Sequence, residues 1–143
     1  MIVAKILAHK GRDVFTTGTE MSVADAVRLL GAHRIGALVV VDAARRILGI
    51  LSERDIVRTL AASGAAALDQ PVRAVMTEKV VTCSENDTIN EVMARMTKGR
   101  FRHLPVVEND LLVGLVSIGD VVKARIEAVE READEMRAYI ATA

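Results

Sequence analysis

The chain has 143 residues, 51% of them hydrophobic but only 2% aromatic, and its 19 basic and 19 acidic side chains cancel to a formal net charge of zero. That length accommodates one compact domain or two intimate half-domains sharing a core built from Val, Ile, Leu, Ala and Met. Charge balance leaves no global basic field for nucleic acid, and a single cysteine, Cys83, excludes an internal disulfide and argues against a metal cluster.

The opening stretch, residues 1–13, reads as a helical lead whose apolar part is too short for a secretory signal. With no 18-residue apolar run to span a bilayer, a membrane partner is not expected, and the reading places the protein in the cytoplasm. The chain then repeats itself. Val14 to Asp42 matches Val80 to Glu108 at one constant offset of 66 residues, as from Val14 to Val80. After a turn the offset becomes 65, as from Gly49 to Gly114, so one residue is lost between Asp42 and Ile47 in the first copy and Glu108 and Leu112 in the second. Two copies suggest a pseudo-twofold pair rather than a solenoid, which needs three or more.

Within each copy a short strand (Val14 to Thr16; Val80 to Cys83) leads to a helix capped by Ser22 or Asp87. Val23, Ala26, Val27 and Leu30 in the first helix, and Ile89, Val92, Met93 and Met96 in the second, recur at helical spacing. Two β-branched apolar runs follow in the first copy, Ala37 to Val41 and Ile47 to Leu51, and then a helix opening at Ser52-Glu53-Arg54-Asp55. In the second copy Pro105, lacking an N–H, asks for a strand start or edge. The fold class is therefore α+β, with β-α-β-β-α occurring twice. The boundaries are expected at 14–64 and 76–124, with a connector at 65–75 and a helical extension at 125–143.

That last helix carries Val122, Ile126, Val129, Ala133, Met136 and Ile140 at alternating steps of four and three, which is heptad spacing. Glu127 and Arg131 stand at i and i+4 in the favourable order. The seam needs a partner, either its own domain or a second subunit, with a homodimer the favoured reading.

Chemistry is expected where Gly49, Ser52 and Asp55 repeat as Gly114, Ser117 and Asp120. A strand turning through Ser into a helix whose first turn holds Asp offers N–H groups and a hydroxyl for phosphate oxygens and a carboxylate for ribose hydroxyls. An N-cap Ser with a favourable first-turn Asp is the plainer alternative. Arg54 in the first copy can grip phosphate bidentately, whereas Gly119 stands there in the second, so two sites would be unequal. No Gly-x-Ser-x-Gly, His-Glu-x-x-His or P-loop lysine is present, and Ser52 has no duplicated histidine as base, so an enzyme is not expected. His9 and His33 have no visible ligand set.

The strands Arg34 to Asp42 and Arg100 to Glu108, the latter containing His103-Leu104-Pro105-Val106-Val107, are each followed by Gly-h-h-Ser-x-x-Asp, h being apolar. In this the chain resembles a tandem pair of CBS domains, a Bateman module, from about Val14 to Ala124. The resemblance implies a flat disc with two clefts for an adenosine ligand, AMP foremost, with NAD, ADP, ATP or S-adenosylmethionine as alternatives. It implies one cleft with Ser52, Arg54 and Asp55 on phosphate and ribose and with Lys79, Val80 and Phe101 bordering the adenine. Its mirror would use Ser117 and Asp120 with Arg12, Val14, Ile35 and Gly36, while Arg102 and His103 lie near phosphates or are simply exposed strand-end residues. The implied role is a ligand sensor signalling to an effector protein that the sequence does not name. The rival role is a structural adaptor with empty clefts, acting through its last helix.

Overall fold

The computed structural model describes residues 1–142. Helix α1 (Val3–Lys10) precedes β1 (Thr16–Thr17), α2 (Val23–His33), β2 (Ala37–Val41), β3 (Ile47–Ser52) and α3 (Glu53–Ser63). A 3-10 turn over Gly64–Asp69 and the short α4 (Val72–Val75) lead into the second copy: α5 (Ile89–Gly99), β4 (His103–Glu108), β5 (Leu111–Ser117) and α6 (Ile118–Thr142). The β-α-β-β-α order is present twice, with one departure in the second copy.

That departure is the leading strand. In the first copy β1 runs parallel to β2 and completes a three-stranded sheet, whereas the second sheet holds only β4 and β5. The strand expected over Val80 to Cys83 shrinks to a single parallel bridge between Cys83 and Val106. Pro105 is the physical reason. Val39, its counterpart, donates its N–H to the Phe15 carbonyl at 3.4 Å, a bond the proline cannot make to Val81. The remaining bonds, Cys83 N–H to Pro105 O and Val107 N–H to Cys83 O, survive at 2.9 Å each.

The helix caps follow the Ser/Thr preference, with one correction. Ser22 caps α2 by accepting from the Asp25 N–H, but the cap of α5 is Thr88, not Asp87, and Thr88 forms a reciprocal capping box with Glu91. Asp87 instead accepts from the Ser84 N–H at 2.8 Å and from Arg95 at 2.6 Å. Both helices end on a left-handed arginine, Arg34 (φ 53°) and Arg100 (φ 55°), at equivalent positions. The lost residue sits in the hairpins: a five-residue connection closed by Asp42 in the first copy, and a tight turn through Asn109 and Asp110, both at positive φ, in the second.

Burial divides into two clusters rather than one shared core. One gathers Val23, Ala26, Leu30, Leu38, Val40, Leu51, Ile56 and Val72. The other gathers residues of α5, β4, β5 and the start of α6 around Val3, Ile6 and Leu7 of α1. Each copy thus borrows its lead helix from elsewhere in the chain: α1 closes the second copy, and α4 closes the first. The exchange is symmetric at an offset of 69, as from Val3 to Val72. The Val3 N–H bonds the Asp87 carbonyl at 2.9 Å, and the Val72 N–H bonds the equivalent Met21 carbonyl at 2.7 Å.

This exchange explains the duplicated glycines. A Cβ on Gly114 would stand 2.7 Å from the Leu7 side chain, and one on Gly49 would stand 2.6 Å from Met76 Sδ and 2.9 Å from the Thr77 carbonyl. Gly49 and Gly114 therefore repeat because lead segments press on both strands, not because a ligand approaches there.

Candidate functional site

A cavity of about 620 Å³ opens between the copies, floored by the start of α3 and walled by the segment before α5 and the approach to β4. Ser52, Arg54 and Asp55 line it from the first copy; Lys79, Val80, Phe101, Arg102 and His103 line it from the second. Eight residues from separate parts of the sequence thus meet around one space, of the size that holds a small ligand.

The residues expected for the mirror cleft divide. Gly36 and Ser117, expected on the mirror side, line this same cavity, while Arg12, Val14, Ile35 and Asp120 do not. Arg12 pairs with Glu85 instead. The Asp120 carboxylate is taken by Lys10 Nζ at 2.6 Å, and the same ammonium donates to the Leu115 carbonyl at 2.9 Å. Lys10 lies 69 residues before Lys79, the offset of the exchanged lead segments, so Lys10 rather than Arg12 is the counterpart of Lys79. Sequence comparison missed Lys10 because the offset changes from 66 to 69 outside the repeat.

Asp55 is only 6% exposed. One carboxylate oxygen accepts from the Ser52 N–H at 2.9 Å and from the Ser52 hydroxyl at 3.0 Å, and the other accepts from the Thr77 hydroxyl at 3.0 Å. Thr77 is fixed in turn by a reciprocal pair of backbone bonds with Ile50, at 2.9 and 3.0 Å. It was not expected from the sequence, since Ala8 stands at the equivalent position and symmetry gives no signal. The Glu53 N–H is engaged by the Gly36 carbonyl and the Asp55 N–H by the Ser52 hydroxyl, so the helix start presents fewer open donors than its sequence suggests. The recurring Ser-x-x-Asp is therefore first a capping device: Ser117 and Asp120 exchange the same bonds at 2.9 and 3.2 Å.

Charge sets the cavity apart. Arg54, Arg58, Lys79, Arg100 and Arg102 face or edge it against only Glu53 and Asp55, in a chain whose overall charge is zero. Arg54 reaches across the copies to donate to the Arg100 carbonyl at 2.5 Å, so the left-handed turn at Arg100 aims a backbone oxygen at the first copy. Val80, Phe101 and Ile118 supply apolar wall. His103 packs beside Gly36, where a Cβ would meet its ring at 2.9 Å. Burial pushes this imidazole below its ordinary value of 6.5 despite the opposing pull of Glu53, so it stays neutral at pH 7.

Outside the cavity, burial opposes but does not outweigh the Lys10 hydrogen bond and the Ser117 N–H, which together hold Asp120 below the usual carboxylate value. Burial raises the Cys83 thiol to about 12, which leaves it a packing residue rather than a nucleophile. His33 stacks on Phe15 with ring centroids 4.0 Å apart. Among the described residues no group of three or more His, Cys, Asp or Glu side chains converges as a metal site, and no helix is long and apolar enough to cross a membrane.

Known proteins share this architecture. The CBS domain family profile matches residues 6–62 and 72–127. The CBS-domain containing protein ATU1752 of Agrobacterium tumefaciens superposes with a TM-score of 0.85 at 52% identity, over 87% of this chain and 99% of that one. The CBS domain pair of protein MJ0100, crystallised in complex with 5-methylthioadenosine and S-adenosyl-L-methionine, superposes with a TM-score of 0.80 at 26% identity, over 90% of this chain and 98% of that one. Among curated relatives, the mitochondrial CBS domain-containing protein CBSX3 of Arabidopsis thaliana is 36% identical over 126 residues, 85% of this chain but 61% of the relative, so the chain spans less than two thirds of its length. With two profile matches covering most of its length and the duplicated architecture behind them, the chain belongs to the CBS domain family, as a tandem pair.

Proposed function

We propose that the chain is a regulatory module that binds an adenosine nucleotide, AMP foremost, in the cavity between its two CBS domains and performs no catalysis. The observation that carries this is the concentration of five cationic side chains around a space with an apolar wall, in a chain of zero net charge. Such a lining favours a ligand with an anionic end and a flat apolar end. The adenosine ligands held by the MJ0100 pair support the base half of that reading. The cation excess favours phosphorylated ligands, AMP, ADP, ATP or NAD, over the sulfonium of S-adenosylmethionine.

In this reading Arg54 and Arg102 meet phosphate, and Lys79, Val80 and Phe101 border the base. Asp55, already bonded to Ser52 and Thr77, fixes the cavity floor and offers ribose its remaining lone pairs. One nucleotide binds per chain, because Lys10 occupies the carboxylate of the mirror position. Occupancy biases the arrangement of the two domains, and a cytoplasmic effector protein reads that bias as a change of surface.

Thermal unfolding with AMP, ADP, ATP, NAD and S-adenosylmethionine in turn tests the proposal, since a ligand selective for the folded state adds about 2.7 kcal/mol at a hundredfold excess over Kd. The expected result is a rise with phosphorylated adenosines that Arg54→Ala, an exposed site, weakens about tenfold without lowering the unliganded melting point. No shift with any of them at millimolar concentration would leave the structural adaptor as the better reading, which the uncovered apolar seam of α6 already favours as a second activity.

A further inference from the structure

Helix α6 is 25 residues long, yet only Val121 and Ala124 on it are buried. The CBS profile ends at residue 127, so the distal half of the helix lies outside the part of the chain that the family accounts for. Along the helix Ile126, Val129, Met136 and Ile140 are between 47% and 67% exposed, so the heptad seam does not dock on its own domain. The part of the helix beyond residue 127, solvated and carrying an apolar stripe, is near the length at which a helix is marginal by itself.

The charges beside the seam identify its partner. Placing Val122, Val129 and Met136 at d and Ile126, Ala133 and Ile140 at a puts Lys123, Glu130 and Arg137 at e and Arg125 and Glu132 at g. In a parallel pair of identical helices each g residue faces the e residue five positions on in the partner. Arg125 then meets Glu130 and Glu132 meets Arg137, and the twofold axis makes four opposite-charge contacts. An antiparallel pair that keeps all six seam positions in register instead sets Glu130 against Glu130, Glu132 against Glu132 and Lys123 against Arg137. Within a single chain Arg137 is occupied only by an exposed pair with Asp134 at 2.9 Å, which yields readily to a new partner.

We propose that α6 of two copies of this chain associate side by side as a parallel, in-register coiled coil, selected over the antiparallel arrangement by the Arg125–Glu130 and Glu132–Arg137 pairs. The seam then serves to join two nucleotide modules at one end and to hold their cavities in a fixed relation. Ala133 at a central position and fewer than three heptads keep the pairing weak enough to be reversible.

Cysteine crosslinking of the full chain tests orientation directly. Val129→Cys should form an intermolecular disulfide with itself under mild oxidation, since a parallel register sets position 129 beside its own copy, while buried Cys83 stays unreacted. A mixture of Val129→Cys and Ala133→Cys chains that crosslinks 129 to 133 in preference to 129 to 129 would overturn the parallel register. No crosslink at either position would overturn the pairing. In sedimentation, Glu132→Arg should weaken this association about tenfold and adding Arg137→Glu should restore it. An unchanged association in Glu132→Arg would refute the charge selection. Val129, Glu132 and Arg137 are exposed and Ala133 is half-buried, so near-native melting temperatures are expected throughout.

Discussion

Removing the duplicated aspartate from each copy should give two different costs, although the sequence motif is the same. Asp55→Ala deletes the acceptor of three donors, the Ser52 N–H, the Ser52 hydroxyl and the Thr77 hydroxyl, at a site 6% exposed. Loss of the capping box costs about 1 kcal/mol, and the orphaned, partly buried donors add roughly 1–3 kcal/mol, for a total of about 3 kcal/mol. Asp120→Ala loses a similar cap, but its other partner, Lys10, is partly solvated and recovers water, so that pair contributes at most about 1 kcal/mol. The expected cost there is about 1.5 kcal/mol. Guanidinium chloride titrations of the two variants, followed by circular dichroism, should therefore give distinct midpoints with equal slopes. Equal midpoints, or a cheaper Asp55→Ala, would refute the claim that Thr77 and burial set the first site apart.

Three further outcomes follow from the packing and the titrating groups. Gly49→Ala should destabilise more than Gly114→Ala, by about 1–3 kcal/mol against about 1, because the new methyl meets the Thr77 backbone in one case and only the movable Leu7 side chain in the other; thermal melts that rank them the other way would overturn this. Pro105→Val restores the N–H that Val39 uses in the first copy, so hydrogen exchange should find a slowly exchanging amide at 105, whereas a fast one would show that the proline is not what limits the strand. His103 has a folded pKa below its unfolded value, so its contribution is complete above about pH 6.5 and is lost as pH falls from there toward the folded value. The melting temperature should accordingly drop between pH 7 and pH 5 in the native chain and stay flatter in His103→Gln, and identical profiles would remove His103 as the cause.

Much of the fold was legible in the residues themselves. Period-3.6 apolar spacing marked α2 and α5, β-branched runs marked β2 and β3, and the repeat at 66 residues announced a duplicated unit. Ser52, Arg54, Lys79, Phe101 and His103 do line one cavity, a grouping that the resemblance to CBS domain pairs implied and that the repeat by itself did not.

Other features depended on contacts that local sequence does not encode. Whether Asp87 or Thr88 caps α5 turned on Arg95 and Ser84 drawing the aspartate away. Only the folded chain showed that each copy takes its lead helix from the other segment, which made Gly49 and Gly114 packing residues, set Thr77 under Asp55, and paired Lys10 with Asp120. Sequence thus determined the elements and their duplication, since periodicity and capping act within a few residues. Tertiary structure decided how the two near-identical motifs differ, with Asp55 bonded to Thr77 and Asp120 to Lys10, since those partners are brought together from distant parts of the chain.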